Sequence, residues 1–507
     1  MNPSHPALAE PWDAHNQKLI SHVRPADWKN PRAADSYNLV VLGAGTAGLV
    51  AAAGAAGLGA KVALIEKHVM GGDCLNVGCV PSKALIRAAR SVGAVREAGR
   101  FGVHVPEGIQ VRFAEIMERM RRLRAQISPH DSAQRFTDLG VDVFLGAGRF
   151  IDADRIEVAG QTLRFKRAVV ATGARAAVPA IEGIQTVPFL TNETLFSLTE
   201  LPKRFAIIGA GPVGCEMAQC FARFGSQVVL LESNNGILPR DDRDAAALVR
   251  NALIRDGVTI LSGGPSLQLS RSTTGIRLAG GTAAKTFDLE VDQLLLAAGR
   301  APNVEGLELE SAGVQVSPQG VVVDDFLRTT NPQVYACGDI CSAFQFTHAA
   351  DFMARLVIQN ALFKGRKRAS SLIIPWTTYT TPEVAQVGLS LQAAQSRGIS
   401  IDTFTQPLEQ VDRAVLDEET EGFVRVHVKR GSDRIIGATV VATHAGDLIG
   451  ELTLAMQGGL GLKQLASTIH PYPTQAEAIR KTGDLYNRTR LTPLVRSLMK
   501  RWLDWQR

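Results

Sequence analysis

The sequence predicts an α/β protein with two dinucleotide-binding domains and a C-terminal α+β domain, and three observations predict it. A strand, a glycine turn, a small-residue helix and a second strand ending in an acid follow one another from Leu39 to Glu66. The same unit returns without a gap from Phe205 to Glu232. From Ile373 onward, apolar and polar residues alternate in the short runs Trp376 to Glu383, Gly422 to Val428 and Arg434 to Val441, followed by amphipathic helices, the pattern of antiparallel strands with helical cover.

Length and composition set the frame. A chain of 507 residues is too long for one small core, and 45% apolar with 21% charged residues is ordinary for a globular protein. No apolar run reaches the roughly 18 residues of a membrane span. The N-terminus lacks a basic segment followed by an apolar one, so no secretory leader is expected and cytoplasm is the expected location. The net charge of +6 suits anionic cofactors or substrates. No nucleic-acid partner is expected: the basic run Arg119 to Arg124 follows Glu115 and Glu118 at helical spacing and reads as a solvated helix face.

Taken in order, residues 1–36 hold isolated Trp12 and Trp28 without periodicity and read as an extension that packs on the surface or stays loose. Leu39-Val-Val-Leu42 is a buried parallel strand. Gly43, Gly45 and Gly48 then allow a tight turn and a pyrophosphate at the next helix N-terminus, and Glu66 is placed to hold a ribose hydroxyl. Gly209, Gly211, Gly214 and Glu232 repeat those roles. Two dinucleotides in one chain imply electron transfer between them. Three further short strands end in glycine, at Gly173, Gly299 and Gly338, and Asp339 is placed to accept a hydrogen bond from a polyol or ribose.

Between the two units lies Gly71-Gly-Asp-Cys-Leu-Asn-Val-Gly-Cys-Val-Pro-Ser-Lys83. On an ideal helix Cys74 and Cys79 would have Cα atoms about 8–9 Å apart, too far for an unstrained disulfide. A bridge requires a distorted turn, which Gly72 and Gly78 allow. A helix start here would favour one thiolate near neutral pH. Cys215 with Cys220, and Cys337 with Cys341, read as structural packing. Residues 491–507 form a short basic amphipathic helix with Trp502 and Trp505, for which packing on the body or on a partner subunit is preferred over contact with a membrane.

These pieces in this order resemble the pyridine nucleotide-disulfide oxidoreductases (class I), the family of glutathione reductase, lipoamide dehydrogenase and mercuric reductase, from Tyr37 to Arg488. The resemblance implies two Rossmann-like domains, the first for FAD (37–182 and 306–372) and the second for NAD(P) (183–305). It implies a dimerisation domain over 373–490 whose homodimer partner completes each active site. It makes Cys74 the interchange thiol and Cys79 the flavin-side thiol of a redox-active disulfide, and Lys83 and Glu216 an ion pair beside the flavin. Gly43, Gly45, Gly48, Glu66, Gly173, Gly338 and Asp339 would serve FAD, and Gly209, Gly211, Gly214, Glu232 and Gly299 the nicotinamide nucleotide. No resident metal is implied.

Glu232 favours NADH, because a carboxylate accepts from a free 2′-hydroxyl and repels a 2′-phosphate, and Ser233-Asn234-Asn235 supplies no arginine; Arg240 and Arg243 lie close enough in sequence to weigh the other way. Pro212 stands where glutathione reductases carry an aromatic gate, which counts against glutathione. In His470-Pro-Tyr-Pro-Thr-Gln-Ala-Glu477, aligning Pro473-Thr474 and Glu477 puts Tyr472 where dithiol enzymes carry their catalytic histidine. A phenol is a poor base at pH 7. The resemblance is therefore to the mercuric-reductase branch, although no cysteine follows Cys341 or precedes Cys74 to deliver a metal ion. The expected activity is NAD(P)H-driven, FAD-dependent reduction of a thiophilic metal ion or small oxidised acceptor. The alternatives are a dihydrolipoamide dehydrogenase or other disulfide reductase using His470, and a non-catalytic NADH-sensing flavoprotein.

Overall fold

A computed structural model describes residues 7–106, 108–233, 236–262, 266–282 and 285–507. Asn234 and Asn235, used above to argue for NADH, lie outside the described residues. The chain divides into two compact units, Met1–Ala210 with Cys220–Asn234 and Thr259–Leu372, and Gly211–Gln219 with Asn235–Val258 and Ile373–Arg507.

The first unit holds two parallel sheets. One orders its strands Val334–Ala336, Ala168–Val170, Leu39–Leu42, Val62–Glu66 and Val141–Leu145. Leu39 and Val41 face the helices Thr46–Gly57 and Thr347–Leu362. Val40 and Leu42 face Phe150, Ile156 and Leu163 of a small antiparallel sheet. Both faces are covered, so the strand is apolar throughout, and each buried Leu or Val contributes about 1.5–3 kcal/mol. Small residues allow close packing on this sheet: a Cβ on Gly48 would lie 1.8 Å from the Gly43 carbonyl oxygen. The second sheet orders Thr259–Ser262, Gln227–Glu232, Arg204–Ile208 and Gln293–Leu296, also parallel.

Over its described residues, from Ala7 onward, the N-terminal extension is packed. Helix Ala14–Val23, capped by Asp13, buries Asn16, Leu19, Ile20 and Val23. Beyond it, Trp28 Nε1 donates to the Val143 carbonyl, and Asn30 exchanges hydrogen bonds with the backbone of Leu145. Val141–Leu145 is the last strand of its sheet, so the extension covers an edge whose backbone groups would otherwise be open to pairing.

The same packing corrects the reading of Arg119 to Arg124 as a solvated face. Arg124 is 0% exposed and Arg121 is buried beside it. Arg121 Nε donates to Asp13 Oδ2 at 2.6 Å. Arg124 donates to Asn16 Oδ1 and to the Asn76 carbonyl, both at 2.6 Å. Burial pulls Arg124 down to about 10. Two arginines of this basic run are thus inward-facing because a segment more than 100 residues away supplies acceptors to them.

The second unit contains the antiparallel sheet Pro375–Thr378, Glu383–Gly388, Ile435–Ala442, Phe423–Lys429 and Ile401–Pro407, backed by Ala445–Gln457 and Glu477–Thr489. Helix Pro493–Trp505 buries no residue. Its expected packing on the body is therefore not observed. Among the described residues no helix is long and apolar enough to cross a membrane.

Candidate active site

Gly71 to Cys79 folds as two linked helical starts. Gly71 and Gly72 both take positive φ. The Gly71 N–H donates to the Ala44 carbonyl at 2.8 Å, and a Cβ on Gly72 would lie 2.6 Å from the Gly45 Cα. The cysteine stretch is therefore pressed against the first glycine turn, at a separation that no side chain fits. Cys74 sits in the short helix Gly72–Asn76 and Cys79 is the first residue of Cys79–Glu97. A Cβ on Gly78, between them, would lie 2.8 Å from the Asp73 carbonyl oxygen. Asn76 Nδ2 ties the turn by donating to the Met70 and Gly72 carbonyls.

This distorted turn brings the two thiols close enough for Cys79 to act strongly on Cys74. The Thr347 hydroxyl completes the cluster, 3.3 Å from Cys79 Sγ, where it favours the charged form of Cys74. Cys74 is pushed well above the usual thiol range, first by its hydrogen bond to Cys79 and then by burial; the charges of Cys79 and Asp131 act the same way, and Thr347 opposes them. Cys74 is accordingly not the thiolate that a helix start would favour. It precedes the long helix, and only Cys79 stands at that helix's first position.

A second cluster is built by Arg300. Its Nη2 donates to Asp73 Oδ2 at 2.5 Å, and its Nε lies 3.3 Å from Asp339 Oδ2. Burial pushes the Asp339 carboxyl up against the opposing charge of Arg300. Gly299 and Gly338, immediately before these two residues, both have positive φ. Glu66 is buried, and its carboxylate accepts from the Ala44 N–H at 2.7 Å and the His68 N–H at 2.6 Å, while burial raises its pKa.

In the second nucleotide unit, a Cβ on Gly209 would lie 2.3 Å from the Ala297 carbonyl oxygen, whereas one on Gly211 would meet nothing within 4 Å. Glu232 is half-buried at its strand end. Gly173 has positive φ, and Gly214 lies in helix Pro212–Phe224. Lys83 is half-buried on Cys79–Glu97 in the first unit. Glu216 is buried in the second, where it accepts the Tyr379 N–H at 2.9 Å.

Near the C-terminus Tyr472 is 71% exposed and its hydroxyl donates to Asp412 at 2.9 Å, which raises its pKa. Both His470 ring nitrogens are engaged, Nε2 at 2.9 Å from Glu451 and Nδ1 at 3.0 Å from the Thr468 carbonyl. Glu477 pairs with Arg480 at 2.8 Å. Cys215, Cys220 and Cys337 are buried, and Cys341, half-buried, is pushed up to about 12 by burial, as suits packed thiols. Sequence reasoning missed Thr347, Asp73 and Arg300 as members of the site. Arg300 follows a glycine at a strand end just as Asp339 does, a usable signal; Thr347 lies 268 residues from Cys79 and carries none.

Residues 37–354 match the pyridine nucleotide-disulphide oxidoreductase family, and residues 374–482 match its dimerisation domain. The chain belongs to this family. The mercuric reductase of Streptomyces lividans is 35% identical over 461 residues, 89% of this chain and 96% of that protein. The dihydrolipoyl dehydrogenase of Chlamydia muridarum is 34% identical over 454 residues, 87% and 95% of the two chains. Among solved structures, the HOCl-induced flavoprotein disulfide reductase RclA from Escherichia coli is 29% identical with a TM-score of 0.79, covering 89% of this chain and all of that one. Its Cu(II) complex is similar at 28% identity, a TM-score of 0.78 and the same coverage.

Membership makes this chain a class I flavoprotein disulfide oxidoreductase that uses FAD and NAD(P)H, and its dimerisation domain supports a homodimer. The first glycine turn fits a dinucleotide. Gly45 caps helix Thr46–Gly57 with no side-chain hydrogen bond, leaving the helix's first N–H groups for a pyrophosphate. The open space at Gly211 gives the second turn the same room.

Proposed function

We propose that this chain is a mercuric-reductase-like enzyme that reduces a thiophilic metal ion or a small oxidised acceptor, with NADH favoured as donor. The observation that carries the reading is the contact of Cys74 with Cys79 in a segment whose C-terminal counterpart offers Tyr472 where dithiol enzymes carry a histidine. The relatives named mercuric reductases and the Cu(II) complex of RclA support a soft metal ion as acceptor.

Bound FAD supplies two-electron transfer between the nicotinamide and the cysteine pair. Gly43, Gly45, Gly48, Glu66, Gly173, Gly338 and Asp339 would hold it, and Gly209, Gly211, Gly214, Glu232 and Gly299 the nicotinamide nucleotide. Cys74 and Cys79 take up two electrons and two protons as their S–S bond opens, and present a dithiol to the acceptor. Thr347 orients both sulfurs and holds Cys74 toward its charged form. Lys83 and Glu216 are assigned to the flavin surroundings, and Tyr472 with Glu477 to the acceptor side. A dihydrolipoyl-dehydrogenase reading needs His470 as base, and the engagement of both its ring nitrogens weighs against that role.

The test is anaerobic enzyme reduced with NADH, then challenged with Hg(II), Cu(II), a quinone, lipoamide and glutathione disulfide while flavin reoxidation is followed. Reoxidation by a metal ion that falls by roughly 10³-fold or more in Cys79→Ser is expected. Fast turnover of lipoamide that collapses in His470→Ala and survives Tyr472→Phe would replace this reading with the dehydrogenase one.

A further inference from the structure

Helix Pro493–Trp505 is absorbed by neither the fold nor the redox site. Thr492 caps it, with its hydroxyl accepting from Val495 N–H, so it is a formed helix and not a trailing segment. None of its residues is buried. Leu494, Leu498, Met499, Trp502 and Trp505 recur at spacings of three and four, which places them on one face, and they are 53–76% exposed. The two indoles touch, with ring centroids 5.3 Å apart. Arg496, Lys500 and Arg507 occupy the opposite face and Arg501 the margin, against Asp504 as the helix's acid. Arg488 and Arg490, both exposed, extend the basic surface toward the preceding helix.

We propose that this helix docks the enzyme on an anionic lipid surface, lying in the interface with its Leu, Met and Trp face toward the acyl region. Charge selects that occupant over a second copy of the chain. Two copies meeting through this helix would gather the like charges of Arg496, Lys500, Arg501 and Arg507 against a single Asp504 in each, while anionic headgroups neutralise Arg501 at the margin and let the basic side chains of the polar face extend toward them. The match to the family's dimerisation domain ends at residue 482, before the helix begins. Two tryptophans on the apolar face suit the headgroup boundary, where an indole keeps its ring apolar and its N–H wet. A helix of 13 residues is too short to span a bilayer and long enough to lie on one.

The test is co-sedimentation of the full-length holoenzyme with vesicles of phosphatidylcholine alone and of phosphatidylcholine with phosphatidylglycerol, at about 0.1 M and 1 M salt. The expected result is binding to the anionic vesicles only, released at high salt. Partitioning should fall at least about tenfold both in Trp502→Ala/Trp505→Ala and in Arg496→Glu/Lys500→Glu/Arg501→Glu. NADH oxidation by both variants without vesicles should equal that of the parent, which separates this inference from the assignment of the electron acceptor. Absence of binding, equal binding to both vesicle types, or binding unchanged in the variants would overturn it. So would a fall in sedimentation mass from dimer to monomer in the tryptophan variant, which would assign the helix to a second copy.

Discussion

At the residue scale, the reactivity of the site is set by Cys79, Thr347 and Asp131, the three groups that act on Cys74. Its pKa is raised by Cys79, by burial and by the Asp131 charge, and is lowered by the Thr347 hydroxyl. Removing that hydroxyl in Thr347→Val takes away the group that favours the charged form of Cys74. Alkylation of Cys74 by iodoacetamide, followed by mass spectrometry of the reduced enzyme, should slow roughly three- to tenfold at fixed pH. In both proteins the rate should climb about tenfold per pH unit through pH 9, because a thiol with a raised pKa is still gaining thiolate there. Equal rates in parent and variant would remove Thr347 from the site. The glycines and the two cysteines were legible in the sequence, because each answers a local demand for a turn, a close approach or a reactive sulfur. Thr347 and Arg300 were not, because a threonine and an arginine acquire their roles only from what long-range folding sets beside them.

At the element scale, the antiparallel sheet of the second unit carries a buried histidine. His427, on strand Phe423–Lys429, is 1% exposed, with Nδ1 2.8 Å from the Thr403 hydroxyl. Burial and then the Arg425 charge pull its pKa down to about 4 from 6.5, with Asp242 opposing. The unfolded chain therefore binds a proton that the folded chain resists between those two values. Stability from this group is fully present above about pH 6.5 and is lost as pH falls toward 4, by roughly 3 kcal/mol in all. His427→Gln should flatten the fall of the thermal midpoint between pH 6.5 and 4, as measured by circular dichroism. An unchanged pH slope would show that other groups dominate acid unfolding. Two of the three runs were readable to within a residue from their alternation, since Phe423–Lys429 and Ile435–Ala442 each lie one residue beyond Gly422 to Val428 and Arg434 to Val441, whereas Trp376 to Glu383 spans the turn between strands Pro375–Thr378 and Glu383–Gly388. The opposite outcome held for Arg119 to Arg124. Its helical spacing with Glu115 and Glu118 was real, but which face meets water depends on a partner helix that periodicity does not reveal.

At the scale of the whole molecule, the N-terminal extension joins the redox stretch to the sheet edge. It brings Leu19 and Val23 into the core, supplies Asp13 and Asn16 to Arg121 and Arg124, and covers strand Val141–Leu145, while Arg124 in turn holds the Asn76 carbonyl of the cysteine turn. Deleting residues 1–36 should lower stability by roughly 4–8 kcal/mol, from the lost burial of Leu19, Ile20 and Val23, read as a lower guanidinium midpoint. An unchanged midpoint would mean that the extension covers the molecule without stabilising it. By itself the sequence determined the two nucleotide units, the cysteine turn, the antiparallel domain and the family to which they belong. Each of these is written in residues close together in the chain, where backbone sterics and hydrophobic period act. Only the tertiary structure decided that Thr347 stands over both thiols, that Arg300 bridges Asp73 and Asp339, that two arginines of a basic run point inward, and that the last helix buries nothing. Those outcomes depend on burial and on contacts between residues far apart in sequence, and local sequence carries neither.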